Sequence, residues 1–141
     1  MTAANPKTHG LIGTWKMISN RIRMEDTSEE LDLFGAHPRG VITFATNGRM
    51  TAILTTADRP APVSDADFRA IVMGMSAYAG RFAIEGDRVV IDPDVSWVPF
   101  QRQTRYFELD GDRLTLRTPL QEIPIHPGRL IRNKIIWERE T

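Results

Sequence analysis

The side chain best placed for chemistry in this sequence is an arginine within an apolar, β-like run. Arg105 alternates with Phe107 and Leu109 in the stretch TRYFEL, so the two-residue period of a strand predicts that Arg105 points into the core. A buried guanidinium is costly unless a carboxylate, a carbonyl group or an anionic ligand meets it. The pattern around Arg105 therefore predicts either a buried ion pair or a ligand anchor.

The candidate carboxylates for Arg105 are Asp92 and Asp94, in the stretch RVVIDPDVS. Both are in step with Val90, which predicts that they share one face of the preceding strand. An Arg105–Asp pair that only neutralises itself and a pair that orients a ligand both fit this pattern. If the site performs proton transfer, Asp92 or Asp94 is the base and Arg105 clamps an oxyanion or a carboxylate.

Turn signals divide the rest of the chain into short β-like runs. HPRG, TNGR, EGDR, DGDR and HPGR supply residues that tolerate the positive φ of tight hairpins. Between them lie runs rich in β-branched and aromatic residues, among them VITFA, MTAILTT, RVVID and RLTLRT. This spacing predicts an all-β antiparallel meander, closed as a barrel or stacked as a sandwich.

One segment, SDADFRAIVMGMSAYAG, departs from the strand pattern. Ser64 suits an N-cap, and Asp65 and Asp67 lie in the first turn, where the helix dipole favours negative charge. Apolar residues follow at helical spacing, and Gly80 suits a C-terminal stop. We therefore predict one helix near residues 65–78.

The tryptophan in the first run, LIGTWKMIS, has a large apolar ring that another side chain must shield from water. Trp15 lies in the first predicted strand and Arg139 in the last, and closure of a barrel brings these two strands side by side. A guanidinium stacks well on an indole ring. We therefore predict that Arg139 covers Trp15.

Several side chains are suited to lining a barrel cavity. Tyr78 is predicted to close the helix and bring its hydroxyl to the barrel mouth, as a proton donor or as a ring that packs on the rim. Trp97 and Phe100 flank a proline in a loop, either as an exposed lid or folded onto the barrel. The predicted ligand-binding set is Arg105, Tyr78, Met50, Trp97, Phe107 and His126, and the catalytic set is Asp92, Asp94, Arg105 and Tyr78.

The sequence lacks the residue patterns of metal, nucleophilic and nucleotide chemistry. It contains no cysteine, and His9, His37 and His126 are too scattered to form a zinc site. It has no G-x-S-x-G element, phosphate-binding loop or dinucleotide fingerprint. We therefore expect no bound metal and no cofactor.

Composition narrows the class of protein further. The chain has 141 residues, 41% of them hydrophobic, as expected for one globular domain. Lys and Arg total 18, as do Asp and Glu, and this balance argues against nucleic acid or an anionic membrane as a partner. The sequence shows no signal peptide and no apolar run of membrane-spanning length. We expect a cytoplasmic protein with a flexible tail at 1–9 and one domain at 10–141.

The motifs together resemble a known family. Gly13 and Trp15 in the first strand, with Arg139 in the last, are similar to the calycin signature shared by lipocalins and fatty-acid-binding proteins. The closer resemblance, over nearly the whole chain, is to bacterial and fungal lipocalin-like domain proteins, through LIGTWKMIS, HPRGVITFATNGRMTAIL, AYAGRFAIEGDRV, TRYFELDGDRLTLRTP and IIWER. It implies an up-and-down barrel of about eight strands around a small-molecule cavity. VVIDPDVSWVPF stands where that family often has a His-rich strand, so this chain lacks those histidines.

Two functions are compatible with these observations. The first is a barrel that binds a small apolar or aromatic molecule, oriented by an inward Arg/Asp pair. The second is a cofactor-free enzyme of the isomerase, cyclase or lyase type, working by proton transfer in the same cavity. An accessory protein with an incidental cavity is a third alternative, and the zero net charge is compatible with a homodimer.

Overall fold

The computed structural model describes residues 10–123 and 126–141, so the predicted flexible tail at 1–9 lies outside the described residues. The described strands are β1 (Gly13–Met24), β2 (Glu30–Asp32), β3 (Arg39–Phe44), β4 (Arg49–Thr55), β5 (Met75–Glu85), β6 (Arg88–Ser96), β7 (Gln103–Asp110), β8 (Arg113–Arg117), β9 (Gln121–Ile123) and β10 (His126–Arg139), with one helix, α1 (Asp65–Met73), between β4 and β5.

Eight of these strands close into an antiparallel barrel. Each pairs with the next in the order β1, β3, β4, β5, β6, β7, β8, β10, and β10 pairs back onto β1. The short strands β2 and β9 extend the sheet at one end, on the free sides of β1 and β10. The predicted antiparallel barrel of eight strands is therefore confirmed.

The core of the barrel follows from strand alternation. In β4, Met50, Ala52 and Leu54 are buried, while Thr51 and Ile53 between them are exposed. The same two-residue period holds in β8, where only the second and fourth residues are buried. One face of each barrel strand therefore points inward, and most of its side chains are apolar and fill the interior.

The two ends of the barrel differ in what covers them. The tight turns at 45–48, 86–87 and 111–112 join strands at the end where β1 begins and β10 finishes, which we call the closed end. The longer connections at 25–38, 56–74 and 97–102 lie at the opposite end, which we call the mouth. Helix α1 belongs to the connection that joins β4 to β5.

Trp15 is fully buried at the closed end, and Arg139 covers it as predicted. The guanidinium lies 4.2 Å from the centre of the indole ring, and its nitrogens donate to the carbonyl oxygens of Gly10 and Ile12 at 2.7 and 3.0 Å. Gly13 has a φ of +131°, and a Cβ there would lie 3.0 Å from Arg139 Nη1. Glycine at this position therefore permits both the backbone turn and the close approach of the arginine.

Helix α1 starts where the sequence predicts and ends earlier. The Ser64 hydroxyl oxygen accepts a hydrogen bond from the backbone N–H of Asp67 at 3.2 Å, as an N-cap does. The helix stops at Met73, with Gly74 as its C-cap, so the predicted end near residue 78 is wrong. The apolar spacing is misleading because none of the helical residues is buried. No helix in the described part of the chain is long and apolar enough to cross a membrane.

Gly80 belongs to β5 and has a structural role other than the predicted helix stop. A bulge between Ala79 and Gly80 brings the β6 backbone very close, and a Cβ on Gly80 would lie 2.1 Å from the carbonyl oxygen of Asp92. Only glycine fits this contact, since a bulge that approaches a neighbouring backbone leaves no room for a side chain.

Candidate functional site

Arg105 lies on the inner face of β7, as predicted, and is the buried cation of the barrel wall. Its exposed fraction is 9%, and its single hydrogen bond runs from Nη1 to the carbonyl oxygen of Thr104 at 3.1 Å. Within the described ranges, no carboxylate lies within ion-pair distance of this guanidinium. Burial lowers the pKa of Arg105, yet a guanidinium stays protonated at neutral pH. The barrel wall therefore holds a positive charge that has no acidic partner in the described part of the chain.

The predicted partners of Arg105, Asp92 and Asp94, point away from it, so the inward Arg/Asp pair is wrong. Asp92 is exposed and accepts from Arg102 Nε at 2.6 Å, and Asp94 is exposed and accepts from Arg49 Nη2 at 3.0 Å. The Arg49 guanidinium holds the pKa of Asp94 below its usual value.

The phase of β6 explains this error. RVVID holds three apolar residues in a row, so alternation alone does not reveal which of them face the core. In the structure Val89 and Ile91 are buried, and Val90 and Asp92 occupy the opposite face. Both predicted carboxylates therefore lie outside the barrel and cannot act as a base within it.

Tyr78 lies on β5 rather than at a helix end, directly opposite Ala52 of β4, and packs against the core. Burial raises the pKa of Tyr78, and the nearby positive charge of Arg105 partly offsets this effect. The phenol is therefore protonated at neutral pH. Tyr78 is close enough to Arg105 to be influenced by its charge, and both side chains are hydrogen-bond donors.

An aromatic cluster covers Tyr78 at the mouth. The Phe100 ring lies 4.8 Å from the Tyr78 ring and 5.4 Å from the Trp97 ring, measured between centroids. The backbone N–H of Trp97 donates to the carbonyl oxygen of Ala77 at 2.9 Å, which fixes the start of the loop. The loop at 97–102 thus folds its aromatic side chains onto the barrel rim.

A buried polar network of Asn20, Thr118 and Asn133 was not predicted from the sequence. Asn133 Nδ2 donates to Asn20 Oδ1 at 2.6 Å, and the Asn133 backbone N–H donates to the Thr118 hydroxyl at 2.9 Å. The alternation of Asn133 with the buried Ile131 and Ile135 is a sequence signal for it. Asn20 is hidden in the sequence because a bulge after Met17 shifts the phase of β1.

The other predicted ligand-binding residues lie in different places. Met50 is buried opposite Phe44 in the closed half of the barrel, so it is a core residue there. Phe107 faces the interior two residues beyond Arg105. His126 begins β10 opposite Ile123, at the outer hairpin of the mouth. Neither Met50 nor His126 is in hydrogen-bond contact with Arg105.

Two open grooves lie outside the barrel wall. One, of about 670 Å³, runs along the outer side of β1, β3 and β4 past Lys16, Val41 and Ile53. The other, of about 520 Å³, separates α1 from the segment that contains Arg59. Neither is lined by Arg105. The described residues contain no cluster of three or more His, Cys, Asp or Glu side chains that could hold a metal ion.

Comparison with known proteins identifies the family. Residues 12–140 match the family described as a lipocalin-like domain. A lipocalin-like protein from Bacteroides uniformis has a solved structure that is 18% identical over 93% of this chain and 99% of its own, with a TM-score of 0.48. No curated protein matches the chain. Because the family match spans nearly all of the closed barrel, the chain belongs to the lipocalin-like domain family.

Proposed function

We propose that this barrel binds a small, largely apolar or aromatic molecule whose anionic or carbonyl oxygen meets Arg105. The observation that carries the proposal is a buried guanidinium with one hydrogen bond, to a main-chain carbonyl, and no acidic partner among the described residues. A guanidinium has five N–H donors, so most of them are left for a ligand. The lipocalin-like family supports a ligand-binding barrel in general.

The chemistry of the wall supports an acceptor group on the ligand. Arg105 and the protonated Tyr78 are both hydrogen-bond donors, and the buried amide of Asn133 on β10 is already bonded to Asn20. A carboxylate would take two parallel hydrogen bonds from the guanidinium fork, the strongest pairing that this side chain makes. A ligand that only donates hydrogen bonds would leave the buried charge unsatisfied.

The side chains around Arg105 and Tyr78 support an apolar body for the ligand. Ala52 and Leu54 line the inner face of β4, and Phe82 and Phe107 extend the apolar wall on either side. Ala52 is directly opposite Tyr78, and its side chain is smaller than those of Leu54, Phe82 and Phe107. The ligand is therefore amphipathic, with one polar end.

The alternative function, a cofactor-free isomerase, cyclase or lyase, has less support. Proton abstraction needs a base inside the barrel, and the two predicted bases, Asp92 and Asp94, lie on its outer surface. Tyr78 is a proton donor and Arg105 is a fixed cation, so the described pair is suited to holding an anion. Binding is therefore the function that the geometry favours.

Competition between two ligands that differ in one group tests the proposal. The protein is loaded with the fluorescent probe anilinonaphthalene sulfonate, an aromatic anion, and then titrated with decanoate or with decanol. We expect decanoate to displace the probe at a concentration at least about tenfold lower, because only decanoate offers a carboxylate to the buried cation. Equal competition by the two compounds would overturn the proposal.

Two variants separate Arg105 from nonspecific charge effects. Arg105→Met keeps an unbranched apolar stem and removes the charge, and it is expected to abolish the preference for decanoate. Arg102→Met removes an exposed guanidinium that is paired with Asp92, and it is expected to leave the preference unchanged. A preference that survives in Arg105→Met would assign the anion to another site.

A further inference from the structure

A row of cationic side chains crosses the outer surface of five adjacent barrel strands. In register, Arg88 on β6 faces Tyr106 on β7, Tyr106 faces Arg117 on β8, Arg117 faces Lys134 on β10, and Lys134 faces Arg21 on β1. We call these five residues the cationic row. Since directly paired residues on adjacent strands lie side by side, the four cations and the tyrosine form one continuous line.

The cationic row places like charges directly opposite each other. Arg21 and Lys134 form one such cross-strand pair, and Lys134 and Arg117 form a second. Beside the row, Arg23 faces Arg132 in a third. Opposite charges across a sheet stabilise it, and like charges in the same positions destabilise it. These pairs therefore disfavour the folded barrel wherever a nearby carboxylate does not offset them.

Nearby carboxylates pair with the two arginines on either side of Lys134 and leave Lys134 itself without one among the described residues. Arg21 contacts Asp32 at 2.9 Å and Glu30 at 3.5 Å on the β2 side, and Arg117 contacts Glu108. At the far end of the row, Arg88 faces Glu85 on β5. No carboxylate of the described residues is within 4.0 Å of Lys134. Lys134 is exposed, and it has an arginine as its direct partner on both neighbouring strands.

We propose that the cationic row is a docking surface for an acidic, extended segment of a partner protein. Four inter-strand steps of roughly 4.8 Å give a row about 19 Å long, which an extended chain of about six residues covers. Carboxylates laid across the row offset the repulsion between its cations. Tyr106 is 42% exposed between Arg88 and Arg117 and offers an aromatic face and a hydroxyl to the same segment.

The charges around the cationic row favour a short acidic peptide over nucleic acid. Towards the closed end, the next outward residues on β7 are Glu108 and Asp110, and β10 carries the exposed Glu138. The positive strip is therefore narrow, and the chain as a whole has zero net charge. A long polyanion normally binds through a broad excess of Lys and Arg, which this surface lacks.

Fluorescence anisotropy of a labelled hexaglutamate peptide with the full chain tests the proposal. At low salt the peptide is expected to bind, and near 1 M salt, where the screening length falls to about 3 Å, binding is expected to vanish. Lys134→Gln is expected to weaken binding about threefold or more, because it removes the charge that lies between two arginines and has no carboxylate of its own among the described residues. Lys16→Gln is the matched control, since Lys16 is also an exposed barrel lysine but faces Glu138.

A second readout comes from stability in urea. Lys134→Gln is expected to raise the unfolding midpoint, because it relieves two like-charge pairs, while the same change weakens peptide binding. Equal peptide binding by Lys134→Gln and the unmodified protein would overturn the proposal, and so would a lower midpoint for this variant. Tighter binding of an oligothymidylate of equal charge than of hexaglutamate would also overturn it, in favour of a nucleic-acid partner.

Discussion

Replacement of Arg105 by methionine is expected to make the ligand-free protein more stable. Methionine retains the unbranched apolar stem, so packing against the barrel wall changes little. The change removes one hydrogen bond, the 3.1 Å contact to the Thr104 carbonyl, which is worth about 1.5–3 kcal/mol for a charged donor. It also removes the desolvation cost of an unpaired buried charge, which is several kcal/mol. The free energy of unfolding is therefore expected to rise by about 1–3 kcal/mol.

Urea unfolding followed by tryptophan fluorescence measures this change. With a urea dependence of about 2 kcal/mol per molar for a domain of this size, the midpoint of Arg105→Met is expected about 0.5–1.5 M higher. The same variant is expected to lose selective binding of carboxylates. If Arg105→Met is instead destabilised by more than about 1 kcal/mol, the guanidinium is a satisfied structural group, and the reasoning that makes it a ligand anchor fails.

Three further results are expected. Arg139→Ala should lower the free energy of unfolding in urea by about 2–4 kcal/mol, because it removes the stacking on Trp15 and two hydrogen bonds to main-chain carbonyls. The control Asp112→Asn removes only the exposed ion pair with Arg139 and should change this free energy by less than about 0.5 kcal/mol. Gly80→Ala should cost more than about 3 kcal/mol by the same assay, and a cost below 1 kcal/mol would contradict the tight bulge. The pKa of Tyr78 is raised in the folded state, so its contribution to stability is complete below a pH of about 10 and is lost as the pH rises through the folded pKa. Thermal midpoints and phenolate absorbance measured against pH should show this loss. In Tyr78→Phe, this part of the pH dependence should be absent.

The sequence predicts the fold well because the fold depends on repeated local signals. Turn residues and strand alternation each recur many times, so an error at one of them does not change the architecture. The contact between Trp15 and Arg139 was predictable for a different reason. Barrel closure forces the first and last strands together, and both residues then share one level of the barrel.

The candidate site was predicted less well because it depends on the phase of single strands. The inward position of Arg105 follows from its alternation with Phe107 and Leu109, whereas the run of Val89, Val90 and Ile91 gives no phase for the strand that precedes it. A one-residue shift in the assumed phase moves every side chain of a strand to the other face of the sheet. Such a shift in β6 is the reason that Asp92 was predicted to face the interior, although it lies on the outer surface of the barrel.

Bulges and the end of the helix account for the remaining errors. A bulge in β1 hides the inward position of Asn20, because the residues on its two sides follow different phases. Tyr78 was placed in a helix because the apolar residues of 64–80 fit helical spacing, although Gly74 ends the helix. An exposed helix places few demands on its apolar residues, so their spacing carries little information about its length.

The pairing of β1 with β10 also has a consequence for how the protein is made. The hydrogen bond from Arg139 to Ile12 joins residues 127 positions apart, so the barrel closes only through contacts between distant parts of the chain. Such topologies fold slowly, and during synthesis β1 has no pairing partner at this edge until β10 emerges from the ribosome. At about 5–20 residues per second, this interval lasts several seconds or more, during which the edge of β1 is open to wrong partners. Chaperone capture of the nascent chain is therefore expected to end only after Arg139 has been released.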